Sequence, residues 1–122
     1  MKIFISQPMA VLKNEDIIET RNRVEKELKE RYGDDVIILS SFYIDDEFEN
    51  NTLPDDQAME ALGKSIALMS EADLVFFAKG WNKSRGCSIE NLVANQYGKE
   101  MIVENNGGRV IVGYTKNREN EQ

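Results

Sequence analysis

Apolar residues along this chain fall into short unbroken runs, separated by longer stretches in which they recur every three or four positions. The runs are Ile3-Phe4-Ile5 within Lys2–Ser6, then Val36–Leu39, then Leu74–Ala78. None of them alternates with polar residues, which predicts strands buried on both faces of a parallel sheet. Pro8 has no N–H for a ladder, so the first strand is expected to stop at Ser6 or Gln7. The recurring patterns predict helices. The first spans Asn14–Tyr32, with Asn14 as N-cap and Glu15 and Asp16 in the first turn. Ile17, Val24, Leu28 and Tyr32 form its buried stripe, and Gly33 stops it. Its opposite face, Glu19, Arg23, Lys26 and Glu30, reads as solvated. The second spans Asp56–Glu71 with Met59, Leu62, Ile66 and Met69 inward, the methionines acting as core fillers. The third spans Ser88–Tyr97, with Ile89, Leu92 and Val93 along one side and Gly98 ending it.

Two further short strands, Met101–Val103 and Arg109–Tyr114, flank the turn cluster Asn105-Asn106-Gly107-Gly108. Strands alternating with helices of this length imply right-handed crossovers. The expected fold is one small three-layer α/β domain over residues 1–122. It is Rossmann-like or flavodoxin-like, with a mostly parallel sheet and a C-terminal strand extension. An acidic loop, about residues 45–57, and a polar tail, 115–122, stand outside the regular pattern. Tyr43, at the end of the second strand, and Asp45, in the acidic loop, are placed where they reach a ligand at the sheet's carboxyl edge.

The composition excludes much chemistry. The chain has 122 residues, no histidine and one cysteine. A Ser-His-Asp triad, a Cys-His pair, a His-ligated metal and an intrachain disulfide cannot be built. No spacing implies a metal, and no cofactor is expected. A net charge of -7 argues against duplex nucleic acid as a partner. The N-terminus lacks the apolar run and cleavage site of a secretory signal, and no apolar stretch approaches the ~20 residues that span a bilayer. A cytoplasmic protein with no membrane partner is the expectation.

In an open α/β sheet, ligands bind outside the carboxyl ends of the strands. Three segments are expected there: Ser6-Gln7-Pro8-Met9, Ser40–Asp46 and Lys79–Glu90. The last is the one locally basic loop, through Lys79, Lys83 and Arg85, and it leads into a helix N-terminus. Such a loop reads either as an anion site or as a capped helix with solvated charges. Glu90, near that helix start, is expected to be held in its charged form by the helix field and neighbouring cations. Trp81 reads either as a platform for a base or as an anchor for the loop. Cys87 reads as a small buried packing residue.

Several blocks taken together resemble the nucleoside 2-deoxyribosyltransferase-like superfamily. They are Lys2-Ile3-Phe4-Ile5-Ser6-Gln7-Pro8-Met9, Leu62-Gly63-Lys64-Ser65-Ile66, Ala72-Asp73-Leu74-Val75-Phe76-Phe77, Gly80-Trp81, Ser84-Arg85-Gly86-Cys87 and Ile89-Glu90. That superfamily includes deoxyribosyltransferases and deoxynucleoside-monophosphate N-glycosidases, and the chain is most similar to a small branch carried by bacteriophages and prophages. The resemblance implies cleavage of an N-glycosidic bond, or deoxyribosyl transfer, on a deoxynucleoside or its 5′-monophosphate. It makes Glu90 the nucleophile, sets the stretch Ser84-Arg85-Gly86 against the 5′-phosphate, and lines the sugar and base pocket with Ser6, Gln7, Pro8 and Met9. It makes Asp73 structural. The carboxylate that assists the leaving base in the family matches Ser65 here. Related folds complete a site with a neighbour's tail, so a homo-oligomer, dimer or higher, is expected, with Tyr114 as a candidate. The alternative function is a non-catalytic binder of a nucleotide or nucleotide-derived signal, acting between phage and host. A protein-binding role centred on the acidic loop is a third reading.

Overall fold

A computed structural model describes residues 1–39, 52–106 and 108–112. The elements run β1 (Lys2–Ser6), α1 (Asn14–Tyr32), β2 (Ile37–Leu39), α2 (Asp55–Met69), β3 (Leu74–Phe77), a 3-10 turn (Trp81–Lys83), α3 (Arg85–Gln96), β4 (Glu100–Asn105) and β5 (Gly108–Val112). They form a small α/β domain whose five-stranded sheet has the order β2-β1-β3-β4-β5. The first four are parallel, and β5 returns antiparallel on β4. This is a Rossmann-like alternation closed by a hairpin.

The unbroken apolar runs are explained by helices on both faces of the sheet. Ile3, Ile5, Leu74, Phe76 and Ile102 pack with Val24 and Leu28 of α1. Phe4, Val75, Phe77, Met101 and Val103 pack on the other side with Met69 of α2 and Ala94 of α3. Phe4, Phe76 and Phe77 are fully buried. At ~25 cal/mol per Å² of apolar surface, rings of this size dominate the burial term. Asp73 is structural, since its Oδ2 accepts from the Lys2 backbone N–H at 2.8 Å and ties the start of β1 to β3. Lys99 Nζ donates to the Ser70 and Ala72 carbonyls at 2.8 and 2.7 Å, satisfying acceptors left by the end of α2.

Some expectations are corrected. The N-cap of α1 is Lys13 rather than Asn14, and the Lys13 side chain makes no capping hydrogen bond. β2 lies at the sheet edge, and Ile37 is 52% exposed, so an apolar run there does not mean burial on both faces. Met59 is 72% exposed rather than a core filler, because α2 packs through its C-terminal end at Met69. Arg23 is not part of a merely solvated face; it reaches Glu104 across the sheet. α3 begins at Arg85, three residues before the expected start, and β3 ends at Phe77. The turn between β4 and β5 is shorter than the predicted cluster, since Asn105 and Gly108 already pair in the ladder. No helix among the described residues is long and apolar enough to cross a membrane.

Candidate active site

β1 and β3 are neighbours, yet their chains leave the sheet in different directions. β1 feeds α1 and then β2 on one side, while β3 feeds α3 and then β4 on the other. Such a switch point opens a crevice at the carboxyl ends of the strands. Ser6 ends β1 in register with Phe77, and the Ala78 N–H donates to the Ser6 carbonyl at 2.9 Å. The chain then turns at Gly80, whose φ of +89° is a left-handed conformation that favours glycine. A Cβ on Gly80 would lie 3.5 Å from Pro8 Cγ, so the two loops lie against each other. Trp81–Lys83 makes one 3-10 turn before Ser84 starts α3.

Ser84 is the N-cap of α3, with its Oγ accepting from the Cys87 N–H at 3.4 Å. This brings the next turn of α3 back over β1. There Ser6 Oγ donates to Glu90 Oε1 at 3.1 Å, in a contact that is buried and spans 84 positions of sequence. Glu90 is 7% exposed and Ser6 2%. Cys87, between Ser84 and Glu90 on the helix, is 3% exposed and hydrogen-bonds with Ser6 and Ser84. Burial pushes the Cys87 thiol up, the two serines pull it part of the way back, and the Glu90 charge adds to the rise. Cys87 is thus a packed thiol rather than a reactive thiolate.

The charge state of Glu90 differs from the expectation. Because α3 starts at Arg85, Glu90 falls in the second turn, beyond the strongest helix field. Burial raises its pKa from 4.5 to about 7, and the Ser6 hydrogen bond opposes that rise. A carboxyl group at this site is therefore poised to change protonation near neutrality, which suits acid, base or nucleophile chemistry.

The remaining expected residues divide. Gln7 is 7% exposed, and its Nε2 donates to the Ile17 carbonyl at 3.0 Å, locking the turn after β1 onto α1. Gln7 Oε1 is buried without a hydrogen-bond partner among the described residues. Pro8 and Met9 are half-buried, and the Met9 carbonyl accepts from the Leu12 N–H at 3.1 Å. Trp81 packs on the sheet: its ring meets Phe77 at 5.9 Å between centroids, tilted by 57°, and its carbonyl accepts from Ser88 Oγ. Arg85 pairs with Asp55 of α2 at 3.1 Å on the surface. Gly86, in the first turn of α3, has open space where a Cβ would stand. Ser65 is half-buried on α2. Tyr43, Asp45 and Tyr114 lie outside the described residues, as do most of the acidic loop and the tail.

A second polar centre was not anticipated. Glu104, at the carboxyl end of β4, accepts Arg23 Nη1 and Nη2 at 3.0 Å each, the Lys79 backbone N–H at 3.0 Å and Arg109 Nη2 at 3.2 Å. Desolvation pulls against these donors, yet they hold its carboxyl below the usual range. Arg109 also pairs with Glu27 and lies 5.2 Å from the centre of the Phe76 ring. The sequence signal was a lone glutamate closing an apolar strand, Met101-Ile102-Val103-Glu104.

Among the described residues, no group of three or more Cys, Asp or Glu side chains is placed to hold a metal ion. Neither the curated proteins nor the solved structures contain a match to this chain. Residues 1–103 match a family described as a domain of unknown function, DUF4406. That span runs from β1 through the Ser6–Glu90 contact into β4, and the chain belongs to the DUF4406 family.

Proposed function

We propose that the chain cleaves the N-glycosidic bond of a deoxynucleoside or its 5′-monophosphate, or transfers the deoxyribosyl group, with Glu90 as the nucleophile. The observation that carries this reading is the buried Glu90 carboxyl, hydrogen-bonded to Ser6 at the switch point of the sheet. In the ionised form, Glu90 Oε attacks C1′ of the sugar. The C1′–N bond breaks, and its electron pair leaves with the base, which takes a proton from water. Water then opens the glycosyl ester, returning Glu90 and releasing the sugar with its anomeric configuration retained; a second base in place of water gives transfer. Ser6 positions the carboxylate and lowers the proton affinity that burial raises. Gln7 Oε1 offers a buried acceptor to a sugar hydroxyl or base N–H.

The strand order supports the flavodoxin-like reading of the fold. Apart from Leu62–Ile66 on α2, the blocks resembling the deoxyribosyltransferase superfamily fall on the elements that build this crevice: β1 and the turn after it, β3, and the first turns of α3. A cytoplasmic location in a bacterium or a phage-infected host, no cofactor and a homo-oligomeric state belong to the same reading.

One observation favours the second reading, a nucleotide binder on an enzyme's scaffold. The buried carboxyl groups of the described residues are Glu90 and Glu104, and Glu104 is held by Arg23 and Arg109. With Ser65 where the resembled superfamily carries a carboxylate, no second buried acid among the described residues is available to the leaving base. A lost general acid costs ~10²–10⁴-fold in rate. Incubating the protein with pooled deoxynucleosides, ribonucleosides and their monophosphates, followed by chromatography and mass spectrometry, separates the two. Free base from the unmodified protein and none from Glu90→Gln supports cleavage. A nucleotide retained by both proteins, with no free base, supports binding alone.

A further inference from the structure

A second recess opens at the carboxyl edge, between the loop after β3 and the end of β4. Its volume is about 500 Å³, and it is lined by Lys79, Gly80, Asn82, Lys83, Glu104, Asn105 and Asn106. That is within the ~300–1,000 Å³ of small-molecule sites. Such sites are mostly apolar, whereas among the described residues this lining holds no aromatic and no large apolar side chain. It offers two ammonium groups and three carboxamides instead. Among the described residues, no hydrogen bond or ion pair involves the Lys79 or Lys83 ammonium or the side-chain amides of Asn82, Asn105 and Asn106. The single carboxylate in the wall does not repel an anion, because Arg23, Arg109 and the Lys79 N–H already occupy Glu104. Those same contacts fix the floor: Glu104 joins the end of β3 to β4, α1 and β5. The recess is thus net positive in a chain of charge -7.

We propose that this recess binds a phosphorylated, hydrophilic small molecule of sugar-phosphate size. The lysines take the phosphate oxygens through charge-assisted bonds. The asparagine amides, each both donor and acceptor, take the sugar hydroxyls. The polar lining of the described residues, with no stacking surface among them, favours a hydrophilic ligand over a nucleobase, and the volume exceeds what a bare phosphate fills. The inference stands independently of the glycosidic reading, since it uses neither Ser6 nor Glu90.

The test is calorimetric titration with ribose 5-phosphate, ribose and inorganic phosphate as probes, with amide chemical-shift mapping of the ribose 5-phosphate complex. The expected result is binding of ribose 5-phosphate, weaker binding of inorganic phosphate and none of ribose, with shifts concentrated at residues 79–83 and 104–106. Each charged hydrogen bond lost is worth about tenfold, so Lys79→Gln and Lys83→Gln should each weaken binding at least about that much while leaving thermal unfolding unchanged. No binding of ribose 5-phosphate would overturn the proposal. So would shifts confined to the Ser6–Glu90 crevice, an affinity untouched by both lysine variants, or inorganic phosphate binding as tightly as the sugar phosphate.

Discussion

Replacing Ser6 with alanine isolates the contact on which the candidate site depends. Ser6 Oγ lies 3.1 Å from Glu90 Oε1, and both residues are buried. Burial has already raised the Glu90 pKa to about 7, and the serine hydrogen bond is what restrains it. A hydrogen bond to a charged group is worth ~1.5–3 kcal/mol, and one pKa unit corresponds to ~1.36 kcal/mol. Ser6→Ala should therefore raise the Glu90 pKa by about one to two units. At pH 7 the ionised fraction would fall from about half to ~1–10%. The direct assay is a carboxyl carbon NMR titration of Glu90 in the two proteins. In a catalytic assay, the acidic limb of the rate profile should move to higher pH by the same amount, with activity largely recovered at pH 9. A Glu90 pKa that stays put or falls would refute the reasoning, because it would mean that the serine does not act on the ionised form.

Other consequences follow from the same geometry. Glu90 is protonated more readily in the folded chain than at its ordinary value of 4.5, so the fold binds the extra proton between about pH 4.5 and 7. Stability is therefore full below that window and falls as pH rises through about 7, by up to ~3 kcal/mol. Glu90→Gln should flatten this profile and be the more stable protein at pH 8, as read by denaturant unfolding. Glu104→Gln strips the carboxylate from Arg23 and Arg109; since the Arg23 side chain is 43% exposed, solvent cushions the loss to ~1–3 kcal/mol, measurable by the same method. Val11 has a φ of 62° and is 74% exposed, so it carries strain without packing. Val11→Asn should raise stability by about 1 kcal/mol in thermal unfolding.

The architecture was legible where burial is uniform along an element. Ile3-Phe4-Ile5 and Leu74–Phe77 have no polar alternation because α1 covers one face, and α2 and α3 the other. The same cue misled at Ile37, because β2 is the edge strand among the described residues and Ile37 is left exposed. The start of α3 was hidden because Arg85-Gly86-Cys87 reads as loop; glycine is a poor helix former, and only the Ser84 cap shows that the turn is helical. Ser6 and Glu90 were both identifiable as candidates, one after a buried strand and one on the helix after β3. Their contact across 84 positions needed the strand order, and the protonation of Glu90 needed its depth. The pairing of Arg23 with Glu104, 81 positions apart, has no local signal: Arg23 reads as a solvated helix face, and the lone glutamate closing β4 does not name its partner.

The most direct test of the central claim is to trap the sugar on the protein. A reaction with the substrate found in the pooled screen is quenched in acid within the first turnover and digested, and the peptides are weighed. The account predicts a deoxyribosyl mass, with its phosphate if the substrate is a monophosphate, on the peptide that contains Glu90. It predicts neither adduct nor free base from Glu90→Gln. Base released by Glu90→Gln at the unmodified rate, or an adduct on a different residue, would contradict it.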